Sequence, residues 1–346
     1  MASVDAFGQF VARVRGDVDA RLGPWLDARV AQARSRGADV ETVADAVRSL
    51  VMRGGKRMRA VLLAASYEGC GGDGGSLAVA AAGASLELLQ AYLLIHDDWM
   101  DGDDVRRGGP SVPAVMRERL PGQADAASVL AGDLAAAWAQ EALLELELPP
   151  ARVLLAAREL ARVEEEVIHG QVLDVRSRAG DSREVEAVHA LKTASYTVRG
   201  PVVMGARLAG ANEAQVTALA AFAAPLGVAF QLRDDVLGTF GDARATGKPS
   251  GGDLRKGKRT ALVVEALADA RAAETLGRVL GRRDATEQEH AAALAAVQAS
   301  GALQRVEARI AVLTREARAA LERAELAPAS RALLERAVVA LTERDS

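Results

Sequence analysis

Apolar residues recur three and four positions apart along nearly the whole chain, as at Leu219, Phe222, Leu226 and Phe230, and this spacing lines one face of an α-helix. Alternation of the strand type is scarce. Breaks rich in glycine and proline fall at 69–75, 102–113, 121–122, 149–150, 180–182, 241–257 and 327–328. The segments between them predict an all-α fold of about ten or more helices, most of them short enough for one domain over 1–346. Pro201 and Pro225 sit inside apolar helical patterns, where a proline removes a backbone hydrogen bond and predicts a kink.

Two stretches are long enough to raise the question of a membrane. Residues 74–95 carry only Glu87 as a charge and 214–232 carry none. Both are rich in alanine and glycine, the second also contains Pro225, and both run into aspartates, so buried core helices are expected.

Composition sharpens this picture. Half of the 346 residues are hydrophobic, 3% are aromatic and ten are proline; alanine and unbranched side chains lose little entropy in a helix. A formal charge of −4 argues against general attraction to nucleic acid but leaves room for local basic clusters. Residues 1–24 are interrupted by Asp5, Arg13, Arg15, Asp17 and Asp19, unlike an export signal. Cys70 is the only cysteine, which rules out an intrachain disulfide and fits a reducing cytoplasm.

The candidate chemistry lies where the two apolar stretches end. The first runs into His96-Asp97-Asp98-Trp99-Met100-Asp101-Gly102-Asp103-Asp104. Asp97 and Asp101 share a helix face, with Asp98 beside them. Their mutual repulsion and the negative end of the helix dipole make the cluster unfavourable without cations. A solvated acidic turn and a hard-cation site both explain such a cluster in isolation. Arg106-Arg107-Gly108-Gly109-Pro110 follows directly, and arginine forks match phosphate oxygens. Oxygen ligands, magnesium and phosphate form one consistent assembly.

The second stretch ends in Gln231-Leu232-Arg233-Asp234-Asp235, 137 positions after the first cluster. A loop over 247–260 then carries Lys248, Arg255, Lys256, Lys258 and Arg259 among glycines, either a phosphate-closing loop or a charged surface turn. Gly54-Gly55-Lys56-Arg57-Met58-Arg59 opens a helix, another place for an anion, although it lacks the longer P-loop pattern. Lys192-Thr193 alone reads as helix surface.

Together these motifs resemble the trans-isoprenyl diphosphate synthase family, also called polyprenyl synthetases, from Gly54 to Thr260. The match rests on Asp97-Asp98-x-x-Asp101 with Arg106-Arg107-Gly108, and on Asp234-Asp235 within Phe230-Gln231-Leu232-Arg233-Asp234-Asp235. The resemblance implies a single-domain helical bundle around a central apolar cavity, with the motif-bearing core at about 50–265. It implies that Asp97, Asp98, Asp101, Asp234 and Asp235 serve three magnesium ions per active site. Gly55, Lys56, Arg59, Gln90 and Arg107 would hold isopentenyl diphosphate. Arg106, Lys192, Thr193, Gln231, Lys248 and Lys258 would hold the allylic diphosphate. The expected catalytic set is the five aspartates with Arg106, Lys192, Gln231 and Lys248. Three positions depart from the pattern: Gln90 stands for a frequent His, Ala60 for a Pro, and Gly238 for the last Asp of the second motif.

By the same resemblance, the allylic diphosphate leaves with its charge neutralised by metal and basic side chains. Isopentenyl diphosphate then adds to the allylic cation. Leu89, Tyr92 and Leu93, one to two turns before Asp97, would set chain length. Tyr92 points to a short product, geranylgeranyl diphosphate ahead of farnesyl diphosphate or longer chains. A homodimer without nucleic acid or membrane anchor is expected. A terpene cyclase needs no second diphosphate pocket, a non-catalytic subunit needs neither acidic site, and a purely structural helical protein leaves the clustered like charges unexplained.

Overall fold

The computed structural model describes residues 2–176, 181–241, 254, 257–282 and 284–343. Among these residues the fold is fifteen α-helices, one π-helical segment and one hairpin of two-residue strands. The chain packs as two compact units: 1–160 with 201–211 and 327–330, and 161–200 with 212–326 and 331–346.

The first unit contains α1 (Ala2–Arg34), α2 (Ala38–Met52), α3 (Met58–Gly69), α4 (Leu77–Asp101), α5 (Val112–Arg119), α6 (Ala124–Leu144) and α7 (Pro150–Arg176) as far as Leu160. Helix α4 is its centre. Residues 78–89 are buried on every face, because α1, α3 and α6 pack around them. This explains why this stretch reads as uniformly apolar rather than amphipathic. Ser76 caps α4, its hydroxyl accepting from the Ala78 N–H at 3.2 Å. At Gly83 the neighbours come so close that a Cβ would lie 2.7 Å from Val18 Cγ2 and 2.9 Å from Ala60 Cβ. Glu87, buried in the same helix, pairs at 2.5 Å with Arg57 at the start of α3.

The second unit contains the rest of α7, α8 (Ser182–His189), the π-helical segment (Ala190–Arg199), α10 (Glu213–Phe240), α11 (Ala261–Leu267), α12 (Ala270–Gly277), α13 (Glu287–Ala299), α14 (Ala302–Arg323) and most of α15 (Pro328–Thr342). Its core joins Val228, Ala229 and Leu232 of α10 to Leu262, Leu276, Val297, Val306 and Ile310. The Asn212 and Gln215 side chains form a reciprocal capping box that starts α10.

Pro225 lies inside α10, as its apolar pattern requires. Pro201 is instead the second residue of α9 (Gly200–Ala209), immediately after the π-helical segment. The Gly200 N–H closes that segment by donating to the Ser195 carbonyl, and Pro201, with no N–H, follows where the ladder changes pitch. Helices α4 and α10 are long and apolar enough to cross a membrane by length and composition; the most apolar window of α4 is 83% buried and that of α10 50%.

Candidate active site

In the first unit, α4 delivers its acidic end at the αL cap Gly102, whose N–H donates to the Asp98 carbonyl. The chain then forms the hairpin β1 (Val105–Arg106) and β2 (Gly109–Pro110), with Val105 opposite Pro110 and Arg106 opposite Gly109. Arg107 (φ 51°) and Gly108 (φ 71°) form the two-residue turn, with φ positive at both positions as a tight hairpin of this twist demands.

That turn separates the two arginines. Arg106 reaches back into the acidic cluster: Nε donates to Asp98 Oδ1 at 2.8 Å, Nη2 donates to the same oxygen, and Asp103 and Asp97 lie 3.6 and 3.9 Å from Nη2. Arg106 is therefore a built-in counter-ion of the cluster. Arg107 points elsewhere and donates from Nη2 to Gln90 Oε1 at 2.8 Å. Gly55 lies alongside, a Cβ there falling 4.0 Å from the same Nη2. Gly55, Gln90 and Arg107 are thus brought together.

The three carboxylates of the first motif stand in different surroundings. Asp98 is fully buried, and its Oδ2 has no hydrogen-bond partner among the described residues. Burial pushes its carboxyl above the ordinary range, with the Arg106 guanidinium pulling the other way. Burial lowers the pKa of Arg106, but the Asp98 hydrogen bond and the surrounding carboxylates outweigh it and hold that guanidinium above its usual range. Asp97 and Asp101 are partly exposed one turn apart.

Magnesium fits these residues. Among the described residues no three His, Cys, Asp or Glu side chains form a ready-made metal shell. An ion satisfied by one or two carboxylates, completed by water and phosphate oxygens, matches partly exposed Asp97 and Asp101. The buried Asp98 Oδ2 keeps its acceptor capacity unused among the described residues, which suits a neighbouring cation.

The remaining basic residues of the GGKR string differ in role. Arg57 (φ 50°) is 2% exposed and binds Asp19 as well as Glu87, so it is a structural anchor. Lys56 is exposed and Arg59 half-buried.

In the second unit, Asp235 is enclosed. Its Oδ1 accepts from Gln231 Nε2 at 3.0 Å; its Oδ2 accepts from the Ala261 N–H at 3.1 Å and lies 3.4 Å from His189 Nε2. Asp235, steadied by Gln231, therefore ties α10 to the start of α11, while Asp234 is half-buried beside it. Arg233 forks onto Glu307 at 2.7 and 2.8 Å and donates from Nε to the Thr342 carbonyl at 2.8 Å, which fixes the end of α10 against α14 and α15. Gly238 is half-buried on the last turn of α10.

Lys192 and Thr193 occupy the π-helical segment, a geometry found often at functional sites. A Cβ on Gly170 would lie 2.4 Å from the Lys192 nitrogen, and one on Gly227 2.5 Å from Ala194 Cβ, so α7 and α10 both press on this segment. Lys192 Nζ is held 2.5 Å from Asp174 Oδ2. Sequence reading missed Asp174; the signal was Gly170 one turn before it, on the same helix face. It also missed His189, three residues before Lys192, and Arg53, for which no motif gave a signal. Lys258 is half-buried before α11, and Lys248 lies outside the described residues. Leu89 and Tyr92 are buried and Leu93 half-buried; the Tyr92 ring meets His96 edge-on at 4.9 Å, and His96 Nε2 lies 2.9 Å from the Val129 carbonyl.

An all-α protein with two aspartate-bearing helix ends, each accompanied by basic side chains, defines a class built to handle anionic ligands through cations. Comparison with known proteins narrows it. Residues 40–297 match the polyprenyl synthetase family. The chain is 33% identical over 270 residues to a geranylgeranyl diphosphate synthase of Methanosarcina mazei, covering 77% of this chain and 79% of that one. It is 35% identical over 257 residues to a (2E,6E)-farnesyl diphosphate synthase of Mycobacterium bovis, covering 71% and 68%. A crystal structure of a geranylgeranyl pyrophosphate synthase from Corynebacterium glutamicum, complexed with isoprenyl diphosphate and magnesium, superposes with a TM-score of 0.89 at 34% identity, covering 96% of this chain and 99% of that one. The chain belongs to the polyprenyl synthetase family and is a prenyltransferase.

Proposed function

We propose that this chain is a magnesium-dependent trans-prenyltransferase that condenses isopentenyl diphosphate head-to-tail with dimethylallyl, geranyl or farnesyl diphosphate, ending at geranylgeranyl diphosphate. The observation that carries this reading is the division of labour between Arg106 and Arg107. One neutralises the aspartate cluster, and the other joins Gln90 and Gly55 in a separate anion-binding pocket. A condensation of two diphosphates needs two such places.

On this reading Asp97, Asp101 and Asp234 hold magnesium, with Asp98 and Asp235 supporting them from buried positions. Bound magnesium supplies charge neutralisation for a departing diphosphate. Lys192, steadied by Asp174, with Thr193, Gln231, Lys248 and Lys258, takes the allylic diphosphate. Preorganised cations stabilise charge as it develops on the leaving group. Arg106 keeps the carboxylates in place. Gly55, Lys56, Arg59, Gln90 and Arg107 orient isopentenyl diphosphate so that its double bond adds to the allylic carbon, and the released diphosphate takes the proton then lost from the new chain. Tyr92, with Leu89 and Leu93, limits that chain. The chain acts as a single polyprenyl synthetase domain over 1–346.

The protein acts in the cytoplasm and pairs with a second copy. Support for pairing comes from the outward apolar stripe of Ile168, Val172 and Val175 on α7, together with exposed Leu130 and Leu144 on α6.

The test is to supply purified protein with isopentenyl diphosphate, magnesium and each of the three primers, and to determine product length by mass spectrometry. A twenty-carbon product from every primer is expected. Fifteen carbons, or more than twenty, would contradict the chain-length assignment, and no elongation would contradict the activity.

A further inference from the structure

Arg53 has no part in the chemistry above, yet it grips the hairpin that carries Arg106 and Arg107. It caps α2, directly before Gly54 and Gly55. Its Nη1 donates to the Arg106 carbonyl at 3.0 Å and to the Pro110 carbonyl at 2.7 Å, one acceptor on each strand. The guanidinium lies flush against Gly109: a Cβ there would come within 2.8 Å of Arg53 Cζ and 3.0 Å of Nε and Nη1. A hairpin with two residues per strand has too little ladder to hold its own shape, and its turn places Arg107, a side chain with a Cβ, at φ 51°. An external clasp is what such a turn requires.

The clasp also joins two walls. Arg53 leads straight into Gly54-Gly55-Lys56, and the hairpin presents Arg107, whose Nη2 lies beside Gly55 and Gln90. Loosening Arg53 therefore frees Arg107 to move relative to the Gly55 backbone.

We propose that Arg53 is a positioning residue that sets the spacing between Arg107 and the Gly55–Lys56 segment, and through it the affinity for isopentenyl diphosphate. This rests on the reading of that pocket given above. Arg53→Met keeps the length of the side chain and removes its donors. Gly109→Ala keeps Arg53 and displaces its guanidinium, an independent way to open the same clasp. Arg107→Ala serves as the reference for the pocket itself.

Steady-state kinetics with both substrates varied provide the readout. Arg53→Met and Gly109→Ala each raise KM for isopentenyl diphosphate about tenfold, with kcat and the allylic KM within about twofold of the parent. The double variant is no worse than either single one, since both break one contact, and Arg53→Lys recovers part of the loss. Wild-type KM in both single variants, beside a raised KM in Arg107→Ala, overturns the role of Arg53 and leaves the pocket standing. Multiplied effects in the double variant overturn the clasp. An unchanged KM in Arg107→Ala overturns the pocket and the proposal with it. If Arg53→Met does not fold, Gly109→Ala and Arg107→Ala decide the question.

Discussion

Asp97 and Asp98 are adjacent, but successive helical side chains point about 100° apart, so one is partly exposed and the other sealed against Arg106. Their substitutions should separate accordingly. Asp97→Ala is expected to keep its unfolding midpoint and lose about 10²- to 10³-fold or more in turnover, as when one preorganised charge-stabilising group is removed. Asp98→Ala leaves Arg106 without its main partner in a largely buried place, and breaking such a pair costs about 3–5 kcal/mol. Denaturant titration read beside turnover distinguishes the two; equal loss of stability in both would contradict the assignment. The motif residues were legible as a set. Their individual environments were not, because burial at the end of α4 depends on the hairpin that folds back over it. The same applies to Arg106 and Arg107, which look equivalent until the turn sends them apart. Tyr92 is a further case: its contact with His96 is compatible with plain packing, and Tyr92→Ala should give longer products by mass spectrometry if it limits the chain. An unchanged product length would make it core alone.

At the scale of elements, several helix boundaries were legible from glycine and proline: α3 ends at Gly69, α4 at Asp101 and α10 at Phe240, while α7 and α15 begin at Pro150 and Pro328. The hairpin was not, because two-residue strands give no measurable alternation. Nor was the π-helical segment, whose side-chain pattern over ten residues resembles that of an α-helix. Short α11 is pinned by Glu265, which accepts from Ser182 and from Arg305. Burial alone would raise the Glu265 carboxyl, but those partners outweigh it and hold it below the ordinary 4.5. A depressed carboxylate contributes stability that is complete above its unfolded value and is lost as the pH falls through the folded one. The stability difference between the parent and Glu265→Gln should therefore shrink as the pH falls below about 4.5. Denaturant unfolding at stepped pH measures it, and a constant difference would contradict this account.

At the scale of the whole molecule, the apolar periodicity was enough for an all-α fold, and the ordered motifs were enough for the family, whose match extends from 40 to 297. The division into two compact units was not legible, since the second takes residues from separate stretches of chain, and spacing along a sequence does not report such long-range grouping. The proposed pairing through the outward stripe on α7 predicts that Ile168→Asp shifts the protein toward half its mass in sedimentation; an unchanged mass would contradict pairing through that face.

Whether the carboxylates of this chain serve prenyl transfer through magnesium is decided by measuring isopentenyl diphosphate incorporation by the purified chain with chelator and with magnesium restored. No elongation is expected in chelator, and full recovery on adding magnesium. Elongation that persists in chelator, or none at any magnesium concentration from folded protein, would contradict that role.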